Sequence, residues 1–138
     1  GAAPASYKVA PDVALVLEGT TASDVGETDE ANYSTAVLGG PAVTVMDRSV
    51  ISHPQVVARL FEIADKNAIL LQVKRTITGG TDAGKIALSK GGVPTAVVAV
   101  PCRYIHSPVT VMSAKDWEQI VRLVELFVCD IAHKGVEF

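Results

Sequence analysis

Hydrophobic residues along the chain alternate between short continuous runs and stripes at helical spacing. Runs of four to six mostly apolar residues between Pro and Gly predict strands, at 12–17, 43–46, 69–73 and 95–100, with a weaker candidate at 33–38. The run at 95–100 is apolar at every position but the first, as expected for a strand covered on both faces. From 19 to 41 no periodicity is visible, and loops of this length tend to be functional or disordered.

Apolar residues spaced three and four apart predict three helices. The first begins at Ser52, whose hydroxyl caps the first turn together with Gln55, and it stops at Asn67. The second is short and follows a turn at 78–82. The third starts at a Ser-x-x-Asp cap and has the clearest apolar stripe, made of Ile120, Leu123, Val124, Phe127 and Ile131. Strands that alternate with helices in this way predict an α/β fold, with helices packed on the faces of a mixed or parallel sheet.

Composition narrows the class of protein. The chain has 138 residues, of which 49% are hydrophobic and 20% charged, so a disordered chain is excluded and a single domain is expected. A net charge of −3 excludes a nucleic-acid binder held by a strong basic field. No apolar run is long enough to predict a membrane span. With only two cysteines, a reducing cytoplasmic location is the default prediction.

Two residues that follow predicted strands are candidates for metal or proton chemistry. His106 lies between Pro101 and Pro108, just past the strand at 95–100, and a neutral imidazole there could bind a metal or move a proton. Asp24 lies past the strand at 12–17 and could ligate a metal. The alternatives are an exposed loop histidine and a solvated carboxylate in an acidic cluster with Glu27, Asp29 and Glu30.

A third candidate is the turn Gly79-Gly80-Thr81-Asp82, which opens the short helix. Backbone N–H groups at the start of a helix favour an anion or a carboxylate, which predicts a substrate-binding role. The alternative is a Thr-capped helix after a tight turn. Two metal ligands alone do not make a catalytic zinc site, because such a site needs three or more protein groups.

Several segments together resemble one family, the tetrahedral (TET) or glutamyl aminopeptidases, which are dinuclear metallopeptidases. The similar segments are DVALVLEGTTASD at 12–24, GPAV to MDRS at 40–49, GGTDA at 79–83 and VPCRYIHSP at 100–108. The resemblance implies a three-layer αβα, zinc-peptidase-like fold that binds two divalent ions, zinc or cobalt, and short peptide substrates. It implies that Asp24 ligates one metal and His106 the other, and that the protein is a homo-oligomer, a dodecamer in the family.

The resemblance also implies that the chain, 1–138, corresponds to the C-terminal portion of the catalytic domain. Gly1-Ala2 looks like the end of the family's Glu-Glu-x-Gly-x-Arg-Gly-Ala string, which holds the general-base glutamate. The family's N-terminal catalytic half and inserted β-domain are then absent, no catalytic residue is assigned here, and the chain alone is expected to be inactive. Two alternatives stay open: a non-catalytic interaction module of the same fold, and a glycoside hydrolase, since some family members are labelled endoglucanase.

Overall fold

A mixed sheet of five strands forms the middle layer of the computed structural model, which describes residues 1–26 and 28–136. Glu27, one of the acidic-cluster residues, and 137–138 lie outside the described residues. The strands are β1 (Ala14–Thr21), β2 (Ala42–Thr44), β3 (Gln72–Val73), β4 (Thr95–Arg103) and β5 (Val111–Met112). Their order is β1-β4-β2-β3, and β5 extends the sheet beside β4. β1 runs parallel to β4, and β2 runs antiparallel to β4 and parallel to β3.

Helices cover both faces of this sheet. The described helices are α1 (Ala2–Val9), α2 (Pro54–Lys66), α3 (Ala83–Ala87) and α4 (Ala114–Lys134), with a 3₁₀ turn at Glu30–Asn32. α2 and α4 pack on one face, where their apolar stripes form the main core with β4. α3 packs on the other face against β1 and β4, and α1 contacts α3. The three-layer α/β prediction is therefore confirmed. None of the described helices is long and apolar enough to cross a membrane.

The central strand β4 decides which helix lies on which face. Successive side chains of a strand point to opposite sides, so Val98 and Val100 face α2 and α4, whereas Val97 packs with Val50 and Ala83 on the α3 side. Only Arg103 at its end is not buried, which confirms the prediction of a strand covered on both faces. The central position of β4 explains its continuous apolar run.

Two predicted strand ends were wrong because neighbouring strands decide where a ladder stops. β4 does not end at Pro101 but continues to Arg103. β1 pairs alongside Pro101 as well, but the backbone groups of Cys102 face β1, so the nitrogen of Pro101 faces the other edge of β4. On that edge β2 pairs only as far as Ala99 and β5 begins at Cys102, so no ladder bond is lost. β1 likewise runs to Thr21, since its parallel ladder with β4 continues that far.

Other segments differ from the predicted strands because side-chain hydrogen bonds, and not a neighbouring strand, satisfy their backbone groups. The candidate strand at 33–38 is a loop, and β3 is only Gln72–Val73. The amide of Gln72 bonds both the N–H and the carbonyl of Ala36, so the loop's backbone groups are satisfied without a partner strand. The helix α1 was not predicted at all.

The caps of the two long helices differ in how well they follow their sequence signals. Ser113 caps α4 as predicted, accepting the N–H of Lys115 at 3.1 Å, and Asn67 ends α2 as predicted. Ser52 does not cap α2, because its buried hydroxyl donates to the carbonyl of Thr44 at 2.6 Å. The cap position is taken by His53.

Candidate functional site

The parallel strands β1 and β4 end at the same edge of the sheet, and Asp24 and His106 each follow one of them. The ladder continues past β1, since the N–H of Ala22 donates to the carbonyl of Cys102 at 2.8 Å. Ligands in open α/β sheets bind at this kind of edge. The fold therefore brings both predicted metal ligands to one edge, but it gives them different surroundings.

The carboxylate of Asp24 is tied to the protein. Its Oδ1 accepts from Nε of Arg103 at 3.0 Å, and its Oδ2 accepts from Nη2 of Arg103 at 2.7 Å and from the N–H of Val37 at 3.0 Å. Only 9% of the side chain is exposed. The hydrogen bonds from Arg103 lower the pKa of Asp24 below its usual value, although burial acts in the opposite direction. Asp24 is thus held as a carboxylate that joins β4 to the loop between β1 and β2.

His106 borders an open cavity of about 300 Å³ on the α3 side of the sheet. Its backbone and that of Tyr104 both lie in the left-handed region, with φ of 65° and 60°. Ser107 holds this turn, because its hydroxyl oxygen lies 2.6 Å from the carbonyl oxygens of both Tyr104 and Val109 and can donate to either one. Left-handed backbone at a non-glycine residue costs energy and is concentrated at functional sites, and here it presents an exposed imidazole to the cavity.

Glu18 borders the same cavity and was not singled out from the sequence. It lies on β1 between Val16 and Thr20, and strand alternation puts these three residues on the α3 face. The signal that could have found it is a carboxylate inside an otherwise apolar strand, since charged residues are rarely placed there without a partner or a role. Neither Glu18 nor His106 makes a side-chain hydrogen bond or ion pair within the described residues.

The turn Gly79-Gly80-Thr81-Asp82, which we call the glycine turn, borders this cavity with three of its four residues. Gly79, Gly80 and Thr81 border it together with His106, whereas Asp82 does not and instead begins α3. In the alternative interpretation Thr81 would cap the short helix, but Asp82 occupies the cap position and makes no side-chain cap bond. The arrangement thus joins three of the four predicted substrate-binding residues to one predicted metal ligand.

The carboxylate of Asp47 positions the glycine turn through Ser49. Asp47 is 7% exposed and accepts the N–H groups of Ser49 at 2.6 Å and Val50 at 2.9 Å. The hydroxyl of Ser49 in turn accepts the N–H of Thr81 at 3.0 Å. Burial raises the pKa of Asp47, but the donors from Ser49 and Val50 outweigh it and the pKa lies below its usual value. The turn is therefore anchored to the segment that follows β2.

A third carboxylate, Asp116, holds the loop that contacts Asp24. It is 1% exposed and accepts the N–H of Leu38 at 2.7 Å and of Gly40 at 3.0 Å. Asp116 takes part in the predicted Ser-x-x-Asp cap of α4 through its N–H, which donates to the hydroxyl of Ser113 at 3.4 Å, while its carboxylate points to this loop. Gly40 has φ of 80°, and a side chain there would collide with the carbonyl of Leu70, so only glycine fits.

Comparisons with known proteins identify the family to which the chain belongs. Residues 1–123 match the model of the family described as M42 glutamyl aminopeptidase. The chain belongs to the M42 family. It is 38% identical to a putative aminopeptidase of Acetivibrio thermocellus over 129 residues, which are 94% of this chain and 38% of that protein. The resemblance to glutamyl and TET aminopeptidases is thereby confirmed.

Solved structures of M42-like peptidases share the fold. The TET aminopeptidase of Thaumarchaeota archaeon SCGC AB-539-E09 superposes with a TM-score of 0.93 at 36% identity, over 99% of this chain and 38% of that one. The TET1 peptidase of Pyrococcus horikoshii, described as assembling into a tetrahedron or an octahedral shell, gives 0.70 at 27% identity, over 91% and 36%. The chain thus spans less than two fifths of the relatives it matches.

The described residues fit a metal ion only in part. An imidazole nitrogen and a carboxylate oxygen suit zinc or cobalt, and the cavity offers both in His106 and Glu18. Within 1–26 and 28–136, however, no group of three or more His, Cys, Asp or Glu residues is placed to hold an ion. The described part of the M42 chain therefore offers part of a ligand set.

Proposed function

We propose that this chain is the part of an M42 metal-dependent aminopeptidase that supplies one side of the metal and substrate site. The observation that supports it is the cavity at the end of β1, where Glu18, His106 and the Gly79–Gly80–Thr81 turn meet. When bound there, a divalent ion supplies Lewis acidity that activates water toward a peptide carbonyl. The predicted substrate is a short peptide, and the turn presents backbone groups to it.

The proposal assigns the metal-ligating carboxylate of this chain to Glu18 in preference to Asp24. Both oxygens of Asp24 already accept hydrogen bonds from Arg103, and Val37 adds a third. Ligating a metal would break a bidentate, charge-assisted pair, which is among the stronger hydrogen bonds in proteins. Glu18 has no such commitment within the described residues. Asp24 as a ligand stays a prediction that the following experiment tests directly.

Cobalt binding to the purified chain tests this assignment. Titration at neutral pH, followed by calorimetry and by cobalt absorption, is expected to show weak binding, because the chain offers too few ligands for a tight site. Glu18→Gln and His106→Gln are each expected to weaken binding by about 10-fold or more. Asp24→Asn, with its fold verified by circular dichroism, is the matched control and is expected to bind as the wild type does.

The opposite ranking, in which only Asp24→Asn and His106→Gln lose cobalt, would return the carboxylate role to Asp24. Absence of any binding by the wild type would contradict a metal site on this chain. Peptidase assays on the chain alone with added zinc or cobalt are expected to show no turnover, since no general base has been assigned in it.

Assembly and location follow as coarser proposals. The P. horikoshii relative is described as forming closed shells, which supports a homo-oligomer for the complete protein. Free thiols at Cys102 and Cys129 suit a reducing compartment such as the cytoplasm. The glycoside hydrolase reading gains no support, because that chemistry needs two carboxyl groups at the site and Glu18 is the one carboxylate among the described residues that border the cavity.

A further inference from the structure

Lys74 places a positive charge at the end of the cavity opposite to Glu18. It is the one lysine or arginine among the described residues that border the cavity, and it is half-buried there. Its Nζ donates to the carbonyl of Thr78 at 2.7 Å, which uses one of the three donors of an ammonium group. The remaining donors are available to a ligand in the cavity.

No carboxylate in the described part of the chain forms an ion pair with Lys74. Asp47 is within electrostatic range, but its carboxylate accepts the backbone N–H groups of Ser49 and Val50. A half-buried ammonium group without a carboxylate partner is costly unless an anion from outside the chain neutralises it. The cavity thus has a place for a negative group that the fold does not supply.

The glycine turn adds backbone donors beside Lys74. The N–H groups of Gly79 and Gly80 have no acceptor within the described residues, and both glycines border the cavity. Gly79 lies in the left-handed region, with φ of 80°, and turns that contain such a residue often form concavities lined by N–H groups that bind anions. Backbone N–H groups next to an ammonium group favour a carboxylate of the ligand, because charge-assisted hydrogen bonds are the stronger ones.

The register of the sheet determines how far Lys74 lies from Glu18. Glu18 on β1 is level with Ala99 on β4. Ala99 is level with Ala42 on β2, which is level with Gln72 on β3. Lys74 lies two residues beyond Gln72 and three strands away from Glu18, which places the two Cα atoms roughly 15 Å apart. Strand side chains stand about perpendicular to the sheet, so the two charged groups are separated by a similar distance.

That separation favours the C-terminal carboxylate of a short peptide over an acidic side chain. Under the proposed function, on which this step rests, the amino end of the substrate binds beside Glu18 and His106, because the first peptide bond is cut there. With a contact of about 3 Å at each end, roughly 9 Å is left for the peptide to span. A glutamate side chain reaches at most about 6 Å from its own α-amine, whereas three extended residues span about 10 Å.

We infer that Lys74 and the glycine turn bind the C-terminal carboxylate of the substrate and thereby select peptides of about three residues. The cavity of about 300 Å³ is at the small end of ligand-binding pockets, which suits a tripeptide. Lys74 is then a binding residue that sets the length of the substrate and takes no part in cleaving the bond.

Binding of trialanine to the purified chain, followed by NMR of the backbone amides, tests this inference without metal. Trialanine is expected to shift the amide signals of Gly79 and Gly80, and its C-terminal amide is expected to bind at least about 10-fold more weakly, because it lacks the carboxylate. Lys74→Met is expected to lower the affinity for trialanine to that for the amide, whereas Lys74→Arg retains most of it. Lys85→Met is the matched control and is expected to bind as the wild type does, since Lys85 is exposed and does not border the cavity.

Two further peptides locate the carboxylate that Lys74 binds. Dialanine is too short to reach both ends of the cavity and is expected to bind less tightly than trialanine. A Glu-Ala-Ala amide carries its one carboxylate on the side chain and is expected to bind no better than trialanine amide. If it bound as tightly as trialanine, and lost that affinity in Lys74→Met, an acidic side chain would be the ligand and the inference would be overturned. Equal affinities for trialanine and its amide, or no binding of trialanine by the wild type, overturn it as well.

The cobalt titration separates a failure of this inference from a failure of the proposed function. Lys74→Met is expected to bind cobalt as the wild type does, because Lys74 is not one of the assigned ligands. A wild-type chain that binds cobalt but does not distinguish trialanine from its amide overturns this inference and leaves the proposed function intact. A chain that binds no cobalt but binds trialanine through Lys74 contradicts the proposed function and upholds the carboxylate site.

Discussion

Two groups of polar side chains at the same end of the sheet are built in opposite ways. The first group, which we call the loop clamp, consists of the half-buried carboxylate of Asp24 and the buried carboxylate of Asp116, each of which accepts two or more hydrogen bonds from the protein. In the cavity, Glu18 and His106 have no hydrogen-bond or ionic partner within the described residues. The carboxylates of the loop clamp hydrogen-bond to protein groups, whereas the side chains of Glu18 and His106 are available to a ligand.

An acidic residue that follows a strand is therefore not by itself evidence of a metal ligand. A carboxylate whose two oxygens both accept hydrogen bonds from protein donors stabilises a loop, and removing it leaves backbone N–H groups without an acceptor. A carboxylate without such partners costs little to remove from the apo protein and is available to a cation. Substitutions in the two regions should therefore separate stability from metal binding.

The largest effect is expected for Asp116→Ala in the clamp. Losing this carboxylate leaves the N–H groups of Leu38 and Gly40 without an acceptor, which is expected to lower the free energy of unfolding by about 3 kcal/mol. Urea denaturation measures it. Glu118→Ala, on the same helix but exposed, is the control and should change stability by less than about 0.5 kcal/mol. Equal losses in the two variants would contradict the clamp.

A smaller loss is expected for Asp24→Ala, which leaves the N–H of Val37 without its acceptor. We expect about 2 kcal/mol, because one backbone donor and the ion pair with Arg103 are lost together. A double-mutant cycle with Arg103→Leu, followed by urea denaturation, should show that the two substitutions are not additive. Arg103→Lys keeps the charge but not the bidentate geometry, so it should restore only part of the coupling. Strict additivity would show that the pair is not an energetic unit.

Lowering the pH should gradually reduce the contribution of Asp24 to the free energy of unfolding. The hydrogen bonds from Arg103 lower the pKa of Asp24 in the folded state, so its contribution is complete above the unfolded pKa of about 3.9. The contribution is lost as the pH falls through the lower folded pKa. The difference in unfolding free energy between wild type and Asp24→Asn should thus be constant from neutral pH to about pH 5 and shrink below about pH 4. If the difference in unfolding free energy grew as the pH fell, a lowered pKa of Asp24 in the folded state would be contradicted.

The smallest effect on stability is expected in the cavity. Glu18→Gln and His106→Gln should each change the free energy of unfolding by less than about 0.5 kcal/mol, since neither side chain holds a described neighbour. The same variants are those expected to lose cobalt. A loss of stability comparable to that of Asp24→Ala would show that the cavity residues are structural and would erase the contrast between the two regions.

Much of the fold was predictable because its signals are local. The apolar run at 95–100, the Ser113 cap and the stripe of α4 each depend on residues close in sequence, and all three appear in the structure. The segment at 100–108 also carried the family resemblance, and His106 does reach an open cavity. Strand ends at Thr21 and Arg103 were missed because they depend on a partner strand far along the chain.

The α/β class, the family and the position of two candidate residues at strand ends could be predicted without a structure, since they depend on composition, periodicity and ordered motifs. The bond between Asp24 and Arg103, and the cavity that Glu18 shares with His106, could be found in the folded chain alone. The reason is physical. Whether a carboxylate binds protein or ligand depends on which donors the fold brings within hydrogen-bonding distance, and Arg103 is 79 residues away from Asp24 along the chain.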